Sequence, residues 1–203
     1  MRRNRPHPSR PASALPPRLA VAVTLVALAL LPALADADDT IKHRGDHPAY
    51  NFEVEPHLLL GWDDVYANDG FGVGARFSIP IVDNGFVETI NNSVAISFGL
   101  DLVHYDGCWY NGNCDANYVH LPVAMQWNFY VASRWSVFGE PGIVLYHGFF
   151  TDCPANVNCP GRPRITSIEP ALYLGARYHF NDKMSLTMRV GFPAISVGIS
   201  FFP

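Results

Sequence analysis

From about residue 50 to its end, the chain alternates apolar and polar positions with a period of two. Eight segments carry the pattern: residues 52–61, 71–79, 94–103, 118–129, 135–146, 168–180, 184–191 and 195–202. The sixth, IEPALYLGARYHF, is the clearest. Ile168, Leu172, Leu174, Ala176, Tyr178 and Phe180 form one set, and Glu169, Tyr173, Gly175, Arg177 and His179 the other. A strand sends two such sets to opposite faces. Val, Ile and aromatic residues are frequent throughout these segments, which favours strands. Outside residues 1–35, no stretch has a helical period. The pattern predicts eight strands.

The charges inside the strands settle which way the faces point. They are Glu53, Glu55, Arg76, Asp101, Glu140, Glu169, Arg177 and Arg189, and all fall on the side with Gly, Ser, Tyr and Asn. A soluble barrel or sandwich also alternates, but its polar face meets water and often carries lysine. These eight segments contain no lysine. A sparse, glycine-rich face mixing acids and bases suits an enclosed interior, and a continuous apolar face suits lipid. Lipid tolerates no unpaired backbone, so such a sheet must close. Folding the first two strands together sets Glu55 near Arg76. Folding the third on the fourth sets Asp101 near His120. The inward set Glu53, Glu55, Arg76, Asp101, His120, Glu140, Glu169, Arg177 and Arg189 is expected to form an ion-pair network filling the lumen.

The connections alternate long and short, as in barrels with external loops and tight periplasmic turns. Two depart from that rule: residues 80–92 are long for a turn, and Pro193-Ala194 is short for an external loop. Aromatics gather at both predicted rims. Trp62, Tyr66, Tyr105, Trp109, Tyr118, Tyr146, Phe149 and Phe150 are expected on the outer side. Tyr50, Phe52, Phe77, Phe129, Tyr130, Trp135, Tyr178, Phe180, Phe201 and Phe202 are expected on the periplasmic side. Proline recurs within strands in a weak internal echo, at Pro56, Pro141 and Pro170, with Pro122 as a looser copy. Proline removes a ladder donor, so bulges or bends are expected there.

Composition adds compartment. Residues 1–35 hold five arginines and no acid, then an apolar run, LAVAVTLVALALL, then a small-residue Ala33-Leu34-Ala35. This reads as a cleavable signal peptide; the apolar run is too short for a spanning helix. The remaining chain holds 9 bases against 18 acids, a balance of −9, which argues against nucleic-acid binding. Residues 36–48 read as a polar N-terminal tail. His43 and His47 lie four apart there among aspartates, and a solvated tail is preferred to a metal site. Residues 49–203 form the barrel domain. Cys108 and Cys114, then Cys153 and Cys159, are expected as local disulfides in two external loops. A four-thiolate zinc site lacks the usual ligand spacing, so no metal and no cofactor are expected.

Taken together, the alternation, the loop asymmetry and the closing strand SVGISFF resemble the small eight-stranded outer-membrane barrels of the outer-membrane protein A and outer-membrane protein X type. The resemblance covers about residues 50–202 and is architectural. It implies an all-β, eight-stranded antiparallel up-and-down transmembrane barrel resident in the bacterial outer membrane. Membrane lipid and the barrel assembly machinery are then its partners. In that family the last residue is usually an aromatic read by that machinery, whereas here Pro203 follows Phe202. The family includes lipid A deacylases that carry Ser two residues after a His. Here His57, His104, His120, His147 and His179 are followed at that spacing by Leu, Asp, Pro, Phe and Asn. The expected role is therefore non-catalytic, structural or surface-interacting, with an extracellular ligand engaged through loops 104–117 and 147–164. An outer-leaflet lipid-modifying enzyme and a soluble periplasmic lipocalin-like barrel are the alternatives.

Overall fold

A computed structural model describes residues 39–62, 69–105, 115–151 and 166–203. Eight antiparallel strands close into one barrel in chain order: β1 Glu53–Trp62, β2 Asp69–Val82, β3 Asn92–Tyr105, β4 Asp115–Ala132, β5 Trp135–Thr151, β6 Thr166–Asn181, β7 Met184–Phe192 and β8 Ala194–Phe201. β1 pairs with β8, so no strand is left as an edge along the paired length. The two cysteine pairs lie outside the described residues, as do residues 1–35, where a signal peptide is expected, Tyr66 and Trp109.

The faces point as the alternation predicts. Leu172, Leu174 and Val123 are 57%, 61% and 48% exposed, whereas Arg177 is 1% exposed. Leu58, Leu60, Phe71, Val73, Leu100, Leu102, Ile143 and Val197 extend the same outer apolar surface around the barrel. A soluble lipocalin-like barrel has the opposite arrangement, with its apolar set inside. Closed pairing with an apolar exterior is the geometry that crosses a bilayer.

Register departs from expectation at the prolines. Pro56, Pro122, Pro141 and Pro170 shift no register. β1 passes from Val54↔Phe201 to His57↔Gly198, and β3 from Phe98↔Val123 to Asp101↔His120, each in constant register across the proline. Pro141 and Pro170 sit in an unbroken β5–β6 ladder, opposite Leu172 and Ile143. A barrel strand has two neighbours, and the missing donor costs pairing on one side only. The shifts occur at strand ends, at Pro80/Val82 before the long β2–β3 connection and at Tyr130/Ala132 and His179/Asn181 beside tight turns, where strands must bend into reversal.

Strand lengths explain the short connection at Pro193. β7 and β8 hold 9 and 8 residues, close to the roughly 9–11 that span a hydrocarbon core. β4 and β5 hold 18 and 17 and must project beyond it. The outer rim is therefore low at the β7–β8 hairpin and high at β4–β5.

The long connection 83–91 also has a structural reason. Residues 39–48 pack against it rather than hanging in solvent. A 3₁₀ turn, Asp39–Lys42, presents the Ile41 carbonyl to the Asn91 amide at 2.7 Å. The Asn91 side-chain amide donates to the Asp46 carbonyl at 2.7 Å, and the Asn91 carbonyl accepts from the Tyr130 amide at 3.1 Å. His47 stacks on Tyr130 with centroids 4.5 Å apart and reaches the Asp83 carbonyl at 2.8 Å. The sequence lacks the periodicity that would announce this contact, because it is made by caps and carbonyls.

Placing a charge on the outer face tests the orientation. Leu174→Arg should cost about 2–4 kcal/mol when unfolding is followed in phospholipid vesicles, while leaving far-ultraviolet dichroism of the folded protein unchanged.

Candidate functional site: the charged lumen

β1 supplies one residue to each layer of the interior, in the order Glu53, Glu55, His57 and Leu59. At the base, the Arg177 guanidinium donates to both Glu53 carboxylate oxygens at 2.7 Å and to Asn128 Oδ1 at 2.8 Å. Tyr50 meets Phe202 edge-on, with centroids 4.9 Å apart. Burial, helped by Tyr130 and the Glu53 carboxylate, pushes the Tyr50 phenol well above its ordinary range. It is a neutral hydroxyl at any physiological pH.

The middle layer is built on Arg189. Its Nε donates to Glu140 Oε2 at 3.0 Å, its Nη2 to Glu140 Oε1 at 3.4 Å, and its Nη1 to Glu55. Gln126 donates to Glu140 at 2.6 Å and Ser200 to Glu55 at 3.2 Å. The Phe138 ring lies beneath both Arg177 and Arg189, at 4.6 and 5.0 Å. Arg76 is held more loosely. It lies 3.9 Å from Glu140, 3.8 Å from Asp101 and 5.3 Å from the Tyr173 ring centroid. In the third layer His57 Nε2 meets Asp101 Oδ1 at 3.0 Å. Three arginines face four carboxylates here, and the histidine stands against Asp101.

The glycines of the polar face set these distances. Gly74 is the register partner of both His57 and Asp101, and Gly175 that of both Phe138 and Arg189. A Cβ at Gly74 would strike the His57–Asp101 contact, and one at Gly175 would strike the Phe138 ring. An empty position on the middle strand lets side chains from the two flanking strands meet across it.

The sequence-derived set is thus distributed unevenly. Glu53, Glu55, Arg76, Asp101, Glu140, Arg177 and Arg189 converge in the lumen, all buried. Glu55 is the register partner of Arg76 but pairs with Arg189 of β7, over the intervening β8. Asp101 is the partner of His120 but bonds His57. His120 turns its ring onto Tyr146, centroids 4.5 Å apart. Glu169 lies above the network, half-buried, with Ser167 donating to it at 3.3 Å. Parity gives a residue's face, and its height depends on register. His57, Phe138, Gln126, Asn128 and Ser200 also belong to the network. His57 was legible, because it shares parity with Glu53 and Glu55.

Above the charges, aliphatic and aromatic side chains fill much of the lumen. Leu59, Val103, Tyr105, Tyr118 and Ala194 form one buried cluster, and Val144, Ala171 and Tyr173 another, with Tyr146 against it. Tyr105, Tyr118 and Tyr146 therefore fill the interior instead of forming an outer girdle. Tyr130 and Phe202 likewise turn into the base, while Phe201 faces out. Among the described residues, no group of three His, Cys, Asp or Glu is placed to hold a metal.

No protein-family model matches the chain, and no curated protein matches it. Solved structures do match in fold. The outer membrane protein OprG from Pseudomonas aeruginosa aligns at 14% identity with a TM-score of 0.52, over 78% of this chain and 98% of its own. Neisserial surface protein A aligns at 12% identity with a TM-score of 0.50, over 75% of this chain and 96% of its own. The chain therefore has the fold of the small eight-stranded outer-membrane barrels.

Removing one member of a buried pair leaves its partner's charge uncompensated. Glu140→Gln should destabilise by about 3–5 kcal/mol in denaturant titrations of the refolded barrel. Glu169→Gln, above the network, should stay within about 0.5 kcal/mol of the parent.

Proposed function

We propose that this protein is a non-catalytic barrel of the bacterial outer membrane, exported by the signal segment 1–35, with a structural or surface-contact role. The observation that carries this reading is the pairing of an apolar exterior with a lumen occupied through its height. An open channel needs a hydrated path, and eight strands leave room for little more than side chains. Here Arg177, Arg189, Phe138 and Glu140 cross that space, and the clusters around Tyr105 and Tyr173 fill the part above. The body of the protein is then an anchor, and the parts that meet other molecules are its loops.

Stretches 104–117 and 147–164 are the contact surfaces in this reading, each closed by its own cysteine pair, Cys108 with Cys114 and Cys153 with Cys159. Their described residues include ends of β4 and β5, the longest strands of the barrel. Loops on a rigid scaffold commonly carry recognition. One protein of the same fold is, by its name, a surface protein. Insertion depends on membrane lipid and on the barrel assembly machinery. The outward aromatic nearest the chain end is Phe201.

Fractionation and conductance test this together. The mature protein should require detergent for extraction, and should migrate differently on gels before and after boiling. In planar bilayers it should give no channel steps above the lipid background. Solubility without detergent would overturn the membrane assignment, and porin-like conductance would overturn the sealed lumen.

A further inference from the structure

The turn between β2 and β3, residues 83–91, carries a feature that the barrel alone does not require. Phe86 is 61% exposed, although the turn around it is firmly braced. The Asn92 side-chain amide donates to the Val87 and Ile90 carbonyls, both at 2.8 Å. The Gly85 amide donates to the Asn92 carbonyl at 2.8 Å, and a Cβ at Gly85 would collide with the Asn92 side chain. The same Asn92 accepts from the Trp127 indole at 3.0 Å. One asparagine therefore fixes the turn to an aromatic on β4.

That aromatic belongs to the outer face. Phe86 meets the Trp127 ring edge-on at 5.7 Å, and Trp127 continues to Phe129 at 4.9 Å. Ile81, at the end of β2, is exposed beside the turn. The apolar surface is thus continuous from the lipid-facing strands onto the turn. Asp83, Glu88 and Thr89 are exposed in the same nine residues, so the turn is amphipathic. A turn with an exposed aromatic continuous with the lipid-facing strands, and exposed acids within the same few residues, suits the boundary between acyl chains and headgroups.

We propose that residues 81–90 form a foot that lies in the periplasmic-side leaflet, with Phe86 inserted at the level of the acyl–headgroup boundary. Its partner is phospholipid. This rests on the reading of the barrel as membrane-embedded and adds a contact beyond the strands. Asn91, in the same turn, holds residues 39–48 through the Ile41 and Asp46 carbonyls. The foot therefore couples the leaflet to the segment that packs at the base of the barrel.

The test is depth-dependent quenching in phosphatidylcholine vesicles carrying nitroxide-labelled lipids. Phe86→Trp adds one emitter at the foot, Leu174→Trp one in the strand belt, and Glu88→Trp one at an exposed acid of the turn. Each is measured as a difference from the parent protein. The Phe86→Trp emission should be lowered about twofold more by a shallow label than by a deep one. Leu174→Trp should show the reverse preference, and Glu88→Trp should respond to aqueous iodide. Quenching of Leu174→Trp but not of Phe86→Trp overturns the foot and leaves the barrel reading intact. Quenching of neither overturns both. A second measurement needs no substitution. The parent protein is photolabelled with phosphatidylcholine bearing a diazirine near the carbonyl. Lipid adducts on the 81–90 peptide support the foot, whereas their absence, or crosslinks to a second copy there, overturns it.

Discussion

A charge that cannot reach water must meet an opposite charge. That constraint organises this barrel from the inside. Glu53, Glu55, Glu140 and Asp101 are excluded from solvent, and each has a cation or a histidine against it. The partners come from strands two or three places apart around the barrel, so the span between those strands must equal the reach of two side chains. Eight strands provide about that width. The glycines then follow. Where a long side chain must cross from one strand to the next but one, the strand between cannot present a Cβ. The glycine-rich polar face and the buried charges are one design seen at two positions.

The exterior obeys the complementary rule. Backbone groups in lipid have no solvent to satisfy them, so every strand is paired on both sides through the bilayer. The prolines test that rule, since each removes a donor. Pro56, Pro122, Pro141 and Pro170 are tolerated without a register shift because the neighbouring ladder holds the strand, whereas Pro80, near the end of β2, sits at one. Above the bilayer the requirement lapses, and β4 and β5 continue while β7 and β8 stop.

Much of this was legible in the sequence because period two is a strong signal. It gave the eight strands within a few residues of their ends, and it put every strand charge on the inner face. What it lacks is height. Glu169 and Glu140 are both placed on the inner face by alternation, yet only Glu140 reaches the network. Tyr105 and Tyr118 also have inward parity, and their position near a rim argued for a girdle. Parity was the better guide, since a ring on the inner face fills the lumen wherever it sits. The contact made by residues 39–48 was unreadable for another reason. It depends on backbone carbonyls meeting the Asn91 side chain, and carbonyls leave no trace in composition. Phe86 gives no signal in the pattern, because it falls outside any alternating segment.

The ion pairs of the lumen join residues far apart along the chain: 124 positions between Glu53 and Arg177, and 134 between Glu55 and Arg189. No hairpin can make these contacts by itself, since each needs β1 together with β6 or β7. Until the first and last strands meet, the carboxylates of β1 and the arginines of β6 and β7 remain on an open sheet. Loop closure over such separations is the slow part of forming non-local β structure. The electrostatic reward in this molecule is thus withheld until circularisation. Glu53 and Glu55 then act as a latch, and a partly assembled intermediate gains little by lingering.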